Sequence, residues 1–289
     1  MNKNDDLGNR MKEYENISRY YLKKKTPVII RIDGKAFHSF TKGFKRPFDD
    51  ILITSMQETA KYLCENIMGC KLAYTQSDEI SLLLVDYERN ESEPWFGNNL
   101  QKMCSVSASM ATMAFSKAFS KVFDEWGRAN LPDWDEGGIN KPVDENLLKL
   151  CKVYGNAEEK GAMFDARAFI IPKEEVCNYF IWRQQDASRN SIQMVAQSLF
   201  SHKELQNKNC NELQELMFQE KGVNWNDFAN VYKRGSCIIK ETYNITTDNL
   251  NATKNEQVIR NRWIVDKDIP IFTQNRNYID KYVFYDKEN

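Results

Sequence analysis

The run Pro27-Val28-Ile29-Ile30-Arg31-Ile32-Asp33-Gly34, read together with Lys71-Leu72-Ala73-Tyr74-Thr75-Gln76-Ser77-Asp78-Glu79-Ile80-Ser81-Leu82-Leu83-Leu84-Val85, decides the fold. The first is a compact β-branched segment halted by Asp-Gly, which predicts a buried strand ending in a turn. The second predicts a hairpin, with Lys71 to Gln76 as one strand, Ser77-Asp78-Glu79 as the reversal and Ile80 to Val85 as the return strand. Between the two, Asp50 to Met68 places Ile51, Met56, Ala60, Leu63 and Ile67 at helical spacing, and Gly69 is a natural stop.

Outward from this strand, helix and hairpin, Tyr14, Ile17, Tyr20 and Tyr21 predict a short N-terminal helix ended by Lys23-Lys24-Lys25. Asn99 to Trp126 predicts one long helix, whose small residues Ser105, Ala108, Ser109, Thr112 and Ser116 would let it lie close to a sheet. Pro132 to Gly138 breaks the chain. Ala162 to Ile171 predicts a further strand ended by Pro172, and Glu174 to Ser201 a further helix. Beyond Asn207, helical and extended pieces alternate, with Thr246 to Glu256 as the expected flexible stretch. This order predicts an α+β fold: a mainly antiparallel, ferredoxin-like βαββαβ sheet with helices on one face, followed by a C-terminal α/β extension. Residues 1–135 would form the first part with its N-terminal helix, and residues 136–289 the part that completes the sheet.

Composition narrows the class. The chain has 289 residues, 42% of them hydrophobic and 28% charged, which excludes collagen-like and wholly disordered polypeptides. Forty Lys+Arg against 41 Asp+Glu give a formal charge of -1, so any polyanion must be held by local patches. Seven cysteines without a Cys-x-x-Cys pair, and only two histidines, argue against a structural zinc site. Unpaired thiols, a polar stretch from Met1 to Arg10 and no apolar run of about 20 residues lead us to expect a cytoplasmic chain with no membrane partner.

Two acidic turns carry the candidate chemistry. Asp33-Gly34 and Ser77-Asp78-Glu79 are each common turn sequences, but if the strands that carry them pair, Asp33 and Asp78 meet. Facing carboxylates repel unless a cation holds them. Hard oxygen donors of this kind suit Mg²⁺, and two such ions about 3.5 to 4 Å apart would clamp a phosphoryl displacement. Gly34-Lys35-Ala36-Phe37-His38 offers backbone N–H groups, a cation and an imidazole that could cradle a triphosphate, although one glycine falls short of a P-loop and His38 alone reads more readily as structural than as catalytic. Arg46 adds a cation beside a helix start. Later basic residues form three stretches: Arg183, Arg189 and Lys203; Lys233, Arg234 and Lys240; Lys254, Arg260 and Arg262. Trp182, Tyr232 and Trp263 interleave with them, a composition suited to RNA contact through charge and stacking.

Five segments in order resemble the tRNA-His guanylyltransferase family. They are Arg31 to Phe40; Tyr74-Thr75-Gln76-Ser77-Asp78-Glu79-Ile80-Ser81; the long helix with Ser107-Ala108-Ser109; Phe164-Asp165-Ala166-Arg167; and Trp182-Arg183-Gln184-Gln185-Asp186. The resemblance covers about residues 27–200 and extends more weakly through Lys233-Arg234-Gly235. It implies a polymerase-palm catalytic domain that activates a tRNA 5′ end with a nucleoside triphosphate, then lets the 3′-hydroxyl of an incoming nucleotide attack. It further implies two Mg²⁺ held by Asp33, Asp78 and the Gly34 carbonyl, with Glu79 in support. Asp33, Gly34, Lys35, Ala36, Phe37, His38, Ser77 and Asp78 would hold ATP or GTP. Contacts to tRNA would come from Arg183, Arg189, Asn190, Lys203, Lys233 and Arg234, and the chain would assemble as a dimer or tetramer.

Where eukaryotic members carry His-Ile-Asn-Asn-Leu-Tyr-Asn, this chain has Ser188-Arg189-Asn190-Ser191-Ile192-Gln193-Met194. That departure makes it look more like the bacterial and archaeal guanylyltransferase-like proteins, which add nucleotides by template and can repair tRNA 5′ ends. A palm-type nucleotidyl cyclase would share the metal aspartates and need no RNA, and a non-catalytic RNA-binding module would keep only the fold.

Overall fold

A computed structural model describes residues 5–131, 144–247 and 256–284. The break expected at Pro132 to Gly138, most of the stretch Thr246 to Glu256, and Lys254 lie outside the described residues. Strands β1 (Val28–Gly34), β2 (Cys70–Gln76), β3 (Glu79–Leu84) and β4 (Phe164–Ile170) alternate with the long helices in βαββαβ order. Helix α1 is Asp6–Ile17, α2 is Phe37–Phe40, α3 is Asp50–Asn66 and α4 is Leu100–Asn130. The six-stranded sheet runs β4-β1-β3-β2-β5-β6, with β5 (Ser236–Thr247) and β6 (Glu256–Asp266) added beyond β2. All its pairings are antiparallel. This is the predicted α+β architecture, and β4, β5 and β6 enter it from beyond residue 135.

Alternation along the strands sends side chains to two different cores. Val28, Ile30 and Ile32 of β1, with Ile80 and Leu82 of β3, pack with Met56, Ala60 and Leu63 of α3 and Met103, Ala111 and Phe115 of α4. Ile29, Leu72, Tyr74 and Leu83 point the other way, onto Val176, Cys177, Tyr179 and Phe180 of α6 (Lys173–Leu199) and onto Ile269, Phe272, Ile279 and Val283. The expectation of helices on one face therefore needs extending. The central strands are apolar on both sides, as buried strands are, so the second face must be covered too.

Two further differences have local causes. Helix α1 stops at Ile17, and Tyr20 and Tyr21 lie beyond it; Tyr21 bridges to Asn99 instead of continuing the helix. None of its residues is buried, so no packing among the described residues extends its helical register. Helix α5 (Glu145–Lys160) was not anticipated, although it is capped by Asp144 and packs Tyr154 and Ala157 into the α3/α4 core. Tyr154 donates a 2.7 Å hydrogen bond to Asp49, which also caps α3 by accepting from Leu52 N–H, so one buried carboxylate ties α5 to the start of α3.

After α6 come α7 (His202–Leu205), α8 (Cys210–Lys221) and α9 (Asn230–Arg234), with a last short turn, α10 (Asn277–Asp280). Leu213 and Met217 of α8 join Ile192, Val195 and Ala196 of α6 in a third apolar cluster. Gly235, at φ +78°, lets α9 run directly into β5; a Cβ there would stand 2.4 Å from the Thr75 carbonyl oxygen. No described helix is long and apolar enough to cross a membrane. All seven cysteines are free.

Candidate active site

The register of β1 against β3 puts Asp33 directly opposite Glu79, and Gly34 N–H donates a 3.1 Å hydrogen bond to the Asp78 carbonyl. The two acidic turns thus meet at one end of adjacent central strands. Ser77 takes a left-handed conformation (φ +51°) to close the two-residue turn, and its hydroxyl bonds the Asp78 carboxylate at 3.0 Å. Burial pushes the Asp78 carboxyl above the usual range, the Ser77 hydroxyl pulls it back in part, and the charge of Asp33 pushes it up again. Asp33 is partly exposed, with Arg31 3.9 Å away.

The turn after β1 is shaped from below. Ala36 is left-handed (φ +53°), and Phe37 folds back under Gly34 into an aromatic cluster with Phe40, Phe115 and Phe164. A Cβ at Gly34 would sit 2.2 Å from the Phe37 ring. The glycine is therefore required by a buried ring. Phe37 serves as the floor of this turn, while Lys35 and His38 are exposed and His38 Nε2 lies 3.1 Å from the Ser39 hydroxyl.

An open cleft of about 630 Å³ gathers Gly34, Ala36, Phe37, His38, Arg46, Ser77 and Asp78. Lys42 and Lys45 join them from the α2–α3 connection, and Met194 and Gln197 from α6. Neither lysine was singled out in the sequence, although Lys42-Gly43-Phe44-Lys45-Arg46 is a visible basic run; its nearness to Asp78 is tertiary. Neither Lys35 nor Asp33 lines the cleft; Asp33 sits beside it at the end of β1, next to Gly34.

The expected RNA contacts divide. Arg189, Lys233 and Arg234 line a separate depression of about 430 Å³ with Trp225. Asn190 faces a smaller chamber that shares Asp49, Leu52, Ser77 and Met194 with the cleft. Lys203 stands exposed on α7, and Arg262 pairs with Glu241 across the β5–β6 ribbon. Arg183 does not fit the expectation. Its side chain is 6% exposed, with Nε 2.8 Å from Glu79 and a terminal nitrogen 2.8 Å from Asp186, so it is enclosed by ion pairs and withheld from a polyanion. Glu79 is equally enclosed. Burial raises its carboxyl and Arg183 is the largest influence holding it down.

Asp33 and Asp78 carboxylates with the Gly34 carbonyl make an all-oxygen donor set. Among the described residues no group of three His, Cys, Asp or Glu side chains could hold an ion. Two carboxylates are what Mg²⁺ asks of a protein when phosphate and water complete its shell, so these residues fit that ion and not zinc.

Residues 8–172 match the family model described as tRNA(His) guanylyltransferase. The chain belongs to this family. It is accordingly a nucleotidyltransferase. Two solved structures described as bacterial tRNA(His) guanylyltransferase-like protein, one in complex with ATP and one with GTP, are 44% and 42% identical to it, with TM-scores of 0.74 and 0.73. They cover 96% and 97% of this chain and 99% and 100% of their own. The tRNA(His) guanylyltransferase of Schizosaccharomyces pombe is 29% identical over 248 residues, 80% of this chain and 79% of its own length. Family membership agrees with the resemblance drawn from the motifs.

Proposed function

We propose that this chain is a template-directed 3′ to 5′ nucleotidyltransferase that adds nucleotides to the 5′ end of tRNA after activating that end with ATP or GTP. The observation that carries the reading is the convergence of Asp33, Asp78 and the cationic cleft at one end of β1 and β3. Asp33, Asp78 and the Gly34 carbonyl would hold Mg²⁺, which when bound supplies neutralisation of the charge on the reacting phosphate oxygens. The protein's own share is placement. Lys42, Lys45 and Arg46 face a triphosphate lying in the cleft, Ser77 fixes the Asp78 carboxylate, and the rigid Phe37 floor keeps the turn from sagging away from it.

Arg189, Lys233 and Arg234 would meet the phosphates of the tRNA at the separate depression. A dimer or tetramer of the chain would cover Leu7, Met11, Tyr14 and Ile17, all strongly exposed on α1.

The decisive assay incubates tRNA transcripts, full length and lacking the first nucleotide, with each labelled triphosphate and Mg²⁺. We expect additions that follow the opposite strand. Guanylate addition regardless of the opposing nucleotide would replace repair by tRNA(His) guanylylation, and a cyclic product from triphosphate alone would replace both by a cyclase.

A further inference from the structure

The α6 face of the sheet holds a polar chain that the reaction as described does not use. Tyr179 and Ser81 share a 2.7 Å hydrogen bond, and the Ser81 hydroxyl lies 3.2 Å from Glu79 Oε1. The same Glu79 oxygen accepts from Arg183 Nε at 2.8 Å. Arg183 reaches Asp186 at 2.8 Å, and Asp186 reaches Arg189 at 2.8 Å. The ladder starts buried, with Glu79 and Arg183 side chains 8% and 6% exposed, and ends in solvent, with Arg189 56% exposed.

Its buried end is one residue from Asp78 and directly opposite Asp33. Its helical end belongs to α6, which three to four turns later contributes Met194 and Gln197 to the cleft. A planar guanidinium can bridge Glu79 and Asp186 at once, because its nitrogens diverge in a fixed fork.

We propose that Arg183 is a positioning residue for the Asp33–Asp78 pair, acting through Glu79: its buried bridge ties the end of the catalytic hairpin to α6 and engages the third acid in an ion pair. Glu79 is then occupied by Arg183 and the cation site is left to Asp33 and Asp78, and the turn that carries Asp78 is held from the α6 side. This inference rests on the reading of Asp33 and Asp78 as the cation site.

The test uses the full chain with Arg183→Met, Arg183→Lys, Glu79→Gln and the Arg183→Met/Glu79→Gln double variant. Four quantities are read: kcat for addition to a 5′-truncated tRNA, KM for nucleotide, Kd for tRNA, and Mn²⁺ affinity by electron paramagnetic resonance without RNA. Arg183→Met should lower kcat on the order of 10²-fold and weaken Mn²⁺ binding about tenfold, with nucleotide KM and tRNA Kd within about twofold of wild type. Arg183→Lys, which keeps the charge and can satisfy only one of the two acids well, should recover part of both losses. The double variant should be no worse than the poorer single variant, because both remove the same bridge.

Parallel loss of kcat and tRNA affinity in Arg183→Met would overturn the proposal in favour of direct RNA contact, and so would additive losses in the double variant. If Arg183→Met does not fold by circular dichroism, Arg183→Lys alone decides: wild-type kcat and Mn²⁺ affinity sink the proposal. A wild-type chain that binds no Mn²⁺ would instead remove the cation site itself, and the positioning role with it.

Discussion

The two faces of the sheet are built from the same strands and differ in kind. Against α3 and α4 lies a continuous apolar layer in which Phe37, Phe40, Phe115, Phe119 and Phe164 meet at ring-centroid distances of 5.0 to 5.8 Å. Against α6 the layer is apolar towards one end and becomes a polar ladder towards the end where Asp33 and Asp78 sit. One face is held by packing and the other, near that end, by ion pairs. A turn as small as Ser77-Asp78 can be held accurately because each side constrains it differently, packing from below and directional ion pairing from beside.

Substitutions can break that division, and the largest effect is expected at the chemical end. Asp78→Asn should reduce nucleotide addition on the order of 10⁴-fold, or about 5.5 kcal/mol at 1.36 kcal/mol per decade. It should leave the melting temperature unchanged or higher. The sign follows from the raised folded-state carboxyl: the unfolded chain releases its proton first, so stability without divalent cation falls as pH climbs through the folded value. Asp78→Asn should flatten that fall, measured by thermal melts across pH. A lower melting temperature at neutral pH would show the turn to be a structural element first.

On the opposite face, Phe115→Ala removes a ring that is 1% exposed and packed against Phe37, Phe40, Phe119 and Phe164. It should cost about 3 to 4 kcal/mol in denaturant titration, while the activity of the molecules that remain folded stays within a few-fold of wild type. A loss of kcat as deep as that of Asp78→Asn would mean the two faces are not separable.

The smallest expected effect probes the ladder. Tyr179→Phe deletes one hydroxyl from the Ser81 contact and should destabilise by about 1 kcal/mol, with a modest fall in kcat and no change in tRNA affinity. An unchanged melting point would indicate that Ser81 is satisfied by Glu79 alone.

The sequence was most legible where one local rule governs. β-Branched runs, helical spacing and turn dipeptides give β1, β2, β3, β4 and the long helices, because each of these signals is short-range. Helix α5 follows the Pro132 to Gly138 break, which hides its start in the sequence, although Asp144, Tyr154 and Ala157 sit at capping and helical positions. The motifs also named Asp33, Gly34 and Asp78, which the fold brings together at one strand end. Strand pairing was the single assumption needed, and two hydrophobic strands of matching length leave little choice of register when one face must be buried.

Burial and partnership were another matter. Arg183 and Glu79 are 104 residues apart, and nothing local tells that a basic residue on a helix will be sealed against an acid in a hairpin. In sequence the arginine reads as an RNA contact and the acid as a turn residue supporting the metals. Lys42 and Lys45 present the converse, ordinary surface lysines until the α2–α3 connection brings them to the cleft that Asp78 lines. Sequence by itself thus determined the elements, the antiparallel α+β class and the acidic turns, because periodicity and turn chemistry act over a few residues. Only the tertiary structure decided which charges face solvent, which face the cleft and which face each other, because desolvation and ion pairing depend on what the rest of the chain packs around each side chain.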